Sequence, residues 1–168
     1  MVKKSRSAHA GTPALVALDA AGVRYTPHAY DHDPGTDLGY GLEAAQVLGV
    51  PADQVFKTLM AAVDGVLTVA VVPVTGMLDL KALAHAVGGK RAVMADKAVA
   101  ERVTGYVLGG ISPLGQRTLH PTVLDETAEL FDTVLVSGGR RGLDVELSPA
   151  DLVALTHAVV APIGRGAA

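Results

Sequence analysis

The chain contains no cysteine. That excludes disulfides, thiolate zinc sites and a cysteine nucleophile, and it is compatible with a reducing compartment. Tryptophan is also absent, and the other aromatics amount to 4 Tyr and 2 Phe, so the core has to be aliphatic. No apolar run is long enough to cross a bilayer, because Asp, Lys, Gly or Pro interrupts each one. A cytoplasmic protein with no membrane partner is the expectation. Lys3, Lys4 and Arg6 near the N-terminus are not followed by an apolar stretch, so they do not read as a secretory signal. A strong charge of either sign is missing too. The formal net charge is −3, which argues against a broad basic face for duplex nucleic acid and leaves a local contact with an RNA end open.

What is present is small and aliphatic, and 168 residues suit a single domain with a sizeable core. Residues 1–11 read as a flexible basic tail and residues 12–168 as the domain. Thr12-Pro13 starts a helix that Gly22 closes. Val23 to Tyr30 reads as a strand, Asp31 to Gly35 as a loop, and Leu42 to Leu48 as a short helix ended by Gly49. Val55 to Val63 and Val66 to Val74 read as strands joined by Asp64-Gly65, a strong two-residue hairpin signal. The second strand is nearly all apolar, as expected of one covered on both faces. Asp79 and Asp96 each sit where they would cap a helix. Strands are expected near Arg91 to Met94, Thr122 to Leu124, Thr133 to Val136 and Leu143 to Leu147. Ser148-Pro149-Ala150-Asp151 has capping-box spacing and opens a helix to about His157, with a last strand at Val159 to Ile163. Hairpins and helices without regular βαβ alternation point to an α+β domain with a mixed sheet.

Lys57 is the only charge on a strand face shared with Val55, Leu59, Ala61 and Val63. Either its stem packs while its head reaches water, or it is a fixed positive charge at the mouth of a pocket. Gly109-Gly110-Ile111-Ser112-Pro113-Leu114-Gly115 would let backbone approach a ligand closely, although a structural turn has the same composition. It lacks the Walker and dinucleotide-binding patterns. His28 and His32 are four apart but lie in a strand and loop, a poor setting for a metal site. A triad can be assembled on paper from Ser112 or Ser137, His120 and Asp125 or Asp144, without a nucleophile elbow to support it. Ser137-Gly138-Gly139-Arg140-Arg141-Gly142-Leu143-Asp144 is either a solvated hairpin or a rim for phosphates.

In their order and spacing these stretches, together with Thr12-Pro13-Ala14, His28 to Pro34, Phe56-Lys57-Thr58-Leu59 and Thr104-Gly105-Tyr106, resemble the YbaK family. These are bacterial Cys-tRNA(Pro) deacylases related to the editing domain inserted in many prolyl-tRNA synthetases. Two departures are visible: the loop from Pro34 to Tyr40 is about one residue longer than the family pattern, and the hairpin at Asp64-Gly65 a few residues shorter.

The resemblance implies a mixed, barrel-like sheet surrounded by helices, with Lys57 as the key functional residue. It implies that Tyr30, Tyr40, Gly109, Gly110, Ile111, Ser112, Pro113, Ser137 and Asp144 line the aminoacyl site. The implied substrate is the tRNA(Pro) acceptor end carrying cysteine, with prolyl-tRNA synthetase as partner in a ternary complex. The implied reaction uses the substrate's own thiol and requires no cofactor or metal. The alternatives are an Ala-tRNA(Pro) hydrolase using activated water, a non-catalytic module that binds the synthetase or the tRNA acceptor end, and a small-ester hydrolase using Ser112.

Overall fold

The computed structural model describes residues 11–166; the expected tail, apart from Gly11, lies outside them. Among the described residues, five helices and ten strands follow one another as α1 (Pro13–Ala21), β1 (Thr26–Ala29), α2 (Tyr40–Leu48), β2 (Phe56–Val63), β3 (Val66–Pro73), β4 (Gly76–Leu78), α3 (Leu80–Ala86), β5 (Ala92–Met94), α4 (Lys97–Thr104), β6 (Thr122–Asp125), β7 (Val134–Arg140), β8 (Leu143–Leu147), α5 (Pro149–Thr156), β9 (Val159–Ala161) and β10 (Gly164–Gly166). Short 3-10 turns at Ala52–Gln54 and Glu126–Leu130 complete the order.

The class is α+β with a mixed sheet, as the sequence predicts. The strands of the described residues form three sheets, ordered β5-β2-β3-β6-β9, β1-β8-β7 and β10-β4. The first is mixed, since β2 pairs antiparallel with β3 while β3, β6 and β9 run parallel. A parallel bridge between Val55 and Leu135 joins it to the second.

Local chemistry explains the elements. Asp64 and Gly65 both take positive φ, 47° and 83°, which is what a two-residue hairpin turn with the right twist requires. The Asp64 carboxylate also accepts the Lys90 and Arg91 amides, anchoring the next segment. Thr12, Asp79 and Ser148 each accept an amide from the first turn of their helix. Asp96 occupies the cap position of α4 without making that side-chain bond.

Strand β3 is the centre of the core. Val69 and Val71 face the larger apolar cluster, with Leu15, Leu18, Phe56, Met60 and Leu124. Ala70 and Val72 face a second cluster with Leu78, Leu83 and Ile163. Burial on both faces is why its sequence is nearly all apolar. Each fully buried Leu or Val contributes about 1.5–3 kcal/mol.

Two expected strands are shorter than the sequence suggests. Pro27 lacks a donor and sits in an edge strand, and β1 covers only Thr26–Ala29. Pro162 ends β9, after which Gly164–Gly166 pairs with β4. Neither β4 nor β10 is expected from the sequence, because Gly-rich three-residue strands carry no apolar alternation.

Candidate functional site

The site forms where β2 loses a partner. On the side away from β3, β2 meets β7 at the Val55–Leu135 bridge and β5 only from Ala61 onward. Among the described residues, no strand pairs with Lys57 to Met60 on that side. A cleft of about 440 Å³ opens there. Its floor is β2. One wall is the start of α2 with Tyr40, Gly41 and Leu42. Leu108, Gly109 and Ile111 come from the glycine loop, and Tyr30, Ser137 and Asp144 from the second sheet.

Strand alternation puts Lys57 opposite the buried Val72, with Leu59, Ala61 and Val63 following on its face. Lys57 is half-buried, and burial pushes its ammonium below the usual lysine range. Neither ion pair present among the described residues involves it. Lys57 lines the cleft.

Asp144 sits on β8, the central strand of its sheet. Register places it directly between His28 of β1 and Ser137 of β7. It is buried, and burial raises its carboxyl to about 7, with the facing His28 opposing the rise. The side chains around it are occupied elsewhere. His28 Nε2 pairs with Glu146 at 2.8 Å. Ser137 Oγ donates to the Gly110 carbonyl and accepts the Gly139 amide, each at 3.1 Å. Tyr30 is pushed up to about 12, by burial first and then by Asp144 and Glu43, so it is a proton donor at neutral pH.

The Tyr40 wall is fixed from three sides. The His32 ring centroid is 5.2 Å away, the Arg141 guanidinium stands 5.1 Å over its ring, and Gly109 packs against it. A Cβ at Gly109 would fall 2.6 Å from that ring, and its φ is +85°. Gly110 is wedged against the turn at Arg140, where a Cβ would lie 2.8 Å from the backbone. Arg141 Nε donates to the Leu108 carbonyl at 2.9 Å, tying the rim to the loop. The loop before α2 is held by buried Glu43, which accepts the Asp33 amide at 2.8 Å and pairs with His32 Nδ1 at 2.7 Å. Those two bonds hold its carboxyl below the usual range against the cost of burial.

Lys57, Tyr30, Tyr40, Gly109, Ile111, Ser137 and Asp144 thus converge on one cleft. Gly110, Ser112 and Pro113 support the loop from behind and do not line it. The Gly110 amide is committed to the Val107 carbonyl, so it is not free to hold a ligand carbonyl. Ser112 is fully buried, and its hydroxyl accepts the Leu114 amide. The paper triad does not assemble: His120 bonds Gln116, and Asp125 bonds the amides of Ile163 and Gly164. No cluster of three or more metal-ligating side chains occurs among the described residues, and His28 and His32 pair with separate glutamates. The sequence reading missed Thr58, Leu42, Val74 and Leu108 as cleft residues. Nothing marks them in a sequence, since each reads as ordinary strand, helix or loop filling.

Comparison with known proteins identifies relatives of this chain. A model of the aminoacyl-tRNA editing domain matches residues 41–155. An Enterococcus faecalis protein provisionally named Cys-tRNA(Pro)/Cys-tRNA(Cys) deacylase EbsC is 39% identical over 120 residues, 71% of this chain and 73% of that one. A proline–tRNA ligase of Geobacter metallireducens is 32% identical over 101 residues, 60% of this chain and only 17% of the ligase. Among solved structures, one described provisionally as a trans-editing enzyme for prolyl-tRNA synthetase superposes with a TM-score of 0.78 at 27% identity, covering 92% of this chain and 96% of its own. The chain belongs to the aminoacyl-tRNA editing domain family. No helix among its described residues is long and apolar enough to cross a membrane.

Proposed function

We propose that the protein is a trans-editing deacylase that removes cysteine from Cys-tRNA(Pro). The observation that carries the reading is a cleft holding an ammonium and a carboxyl that make no ion pair with each other, Lys57 and Asp144. An aminoacyl ester complements both: its α-ammonium suits Asp144, and its carbonyl or the terminal phosphate suits Lys57. A synthetase pocket built for proline discriminates poorly against a residue of similar bulk, by about 1–3 kcal/mol per methylene-sized difference, so a second site is needed.

In the mechanism the enzyme supplies position and charge. The substrate thiol attacks its own ester carbonyl, forming the C–S bond of a thiolactone as the C–O bond to the ribose breaks. The thiol proton ends on the ribose oxygen. Lys57 stabilises the negative charge that develops on the carbonyl oxygen, while Asp144 and the Tyr30 hydroxyl orient the amino end. Docking on prolyl-tRNA synthetase would bring the mischarged end to the cleft.

One observation favours a second reading. A buried carboxyl near 7 is suited to general-base work. Asp144 could then activate water, and Ala-tRNA(Pro) would be cleaved as well.

Single-turnover deacylation of Cys-tRNA(Pro) and Ala-tRNA(Pro) separates the two. Loss of cysteine alone, slowed about 10²–10³-fold by Lys57→Ala, is the expected result. Equal loss of alanine would replace the mechanism with water attack. No loss of either, with the synthetase present, would make the protein a binding module.

A further inference from the structure

Three carboxylates are buried among the described residues: Glu43, Asp125 and Asp144. Asp125 bonds the amides of Ile163 and Gly164, and Asp144 lines the cleft. Glu43, on α2, does neither. A buried charge is costly unless hydrogen bonds replace its water, and both of its side-chain bonds go to one segment. From Asp31 to Leu38, only two hydrogen bonds among the described residues leave the segment. Both end on Glu43, at 2.7 Å to His32 Nδ1 and 2.8 Å to the Asp33 amide. The others stay inside it: the Gly35 amide on the Asp33 carboxylate, the Thr36 amide on the Asp33 carbonyl, and the Leu38 amide on the Thr36 hydroxyl.

An ionised carboxylate only accepts, so His32 Nδ1 carries the hydrogen and the ring is held in one orientation. That ring backs Tyr40, with centroids 5.2 Å apart and planes tilted by 44°. The backbone under Tyr40 is fixed separately. A Cβ at Gly41 would fall 2.1 Å from the Val74 side chain, so α2 begins in close contact with the end of β3. What remains to be set is the angle of the Tyr40 ring. Arg141, its cationic neighbour, is exposed, whereas His32 is tied to a buried group. Tyr40 lines the cleft, and neither His32 nor Glu43 does.

We infer that Glu43 and His32 are positioning residues that set which acyl side chains the cleft accepts, acting through the Tyr40 ring. This rests on the deacylase reading, in which Tyr40 walls the aminoacyl end, and adds to it how that wall is held. An aromatic wall kept at one angle excludes a side chain too large for the space it leaves. A wall free to tilt yields to it.

The test uses two non-hydrolysable adenosines, one carrying a 3′-cysteinylamido and the other a 3′-leucylamido group. Affinity for each is measured beside the urea unfolding midpoint and single-turnover deacylation of Cys-tRNA(Pro) at saturating protein. The native protein is expected to prefer the cysteinyl compound. His32→Asn places an amide nitrogen where Nδ1 stood, so it keeps the bond to Glu43 and loses the ring. It should lower the preference about 5- to 20-fold, with unfolding midpoint and saturating rate near native. Glu43→Leu removes both bonds and should lower the preference at least as much. Glu43→Gln should retain it, its oxygen accepting the Asp33 amide and its nitrogen donating to the other His32 tautomer. Adding His32→Asn to Tyr40→Ala should change nothing further, since the effect passes through that ring.

An undiminished preference in His32→Asn would overturn the inference. So would a further loss when His32→Asn is added to Tyr40→Ala. A drop in stability or rate with the preference intact would make the pair structural only, and overturns it too. Should Glu43→Leu fail to fold, His32→Asn decides, because it leaves the carboxylate bonded. A native protein that binds the two compounds selectively but deacylates nothing would sink the deacylase reading, and the inference is then judged on binding alone. No selectivity in the native protein overturns the inference itself.

Discussion

Asp125 and Asp144 are both buried, 3% and 7% exposed, yet their surroundings are opposite. Asp125, at the end of β6, accepts the amides of Ile163 and Gly164 through one oxygen and the amide and hydroxyl of Thr127 through the other. It ties β9, β10 and the following 3-10 turn into one knot. Asp144 stands in the middle of a sheet with its neighbours His28 and Ser137 bonded elsewhere. Asp125 is surrounded by donors. Asp144 accepts no hydrogen bond from the described residues, and burial raises its proton affinity.

The contrast can be broken by mutation. The largest effect on stability should come from Asp125→Ala, which strands buried amides and is expected to cost about 3 kcal/mol. Urea unfolding measures it, and deacylation per folded molecule should stay native. Next comes Asp144→Asn, expected to lower kcat/KM about 10- to 100-fold through the lost ammonium contact while leaving stability at neutral pH equal or higher. If Asp144→Asn destabilises as Asp125→Ala does, the two carboxylates do the same job and the comparison fails.

The same variant carries a pH test. The folded-state value of Asp144, about 7, lies above the unfolded value of about 3.9. The folded protein therefore holds an extra proton between these values. The stability this contributes is complete below about pH 4 and is lost as pH rises through 7. Asp144→Asn should gain on the native protein over that range, as read by unfolding midpoints from pH 4 to 8. A constant difference would show that Asp144 is not the group responsible.

The smallest effect should come from Gly109→Ala. Its positive φ and the Tyr40 ring at 2.6 Å predict a loss of about 1–2 kcal/mol and a raised KM as the wall shifts. An unchanged KM would mean that Tyr40 does not touch the substrate.

Much of this molecule is legible in its sequence. The Asp64-Gly65 turn, the helix caps at Thr12, Asp79 and Ser148, the two-sided burial of β3 and the isolation of Lys57 all depend on interactions within a few residues. They follow from backbone sterics, capping geometry and strand alternation. The lining of the candidate cleft was legible in outline, since Tyr30, Tyr40, Gly109, Ile111, Ser137 and Asp144 meet Lys57 there.

Tertiary structure decided what those residues are able to do. Ser112 and Gly110 look like ligand contacts in a glycine loop, but packing turns the hydroxyl and the amide inward. His28 meets Glu146 across 118 residues of chain, which leaves Asp144 beside it without a donor. Local sequence determines which backbone and side-chain groups each segment presents. Only the register between distant strands determines which of them are satisfied and which are left unpaired, because a hydrogen bond depends on the position of both partners.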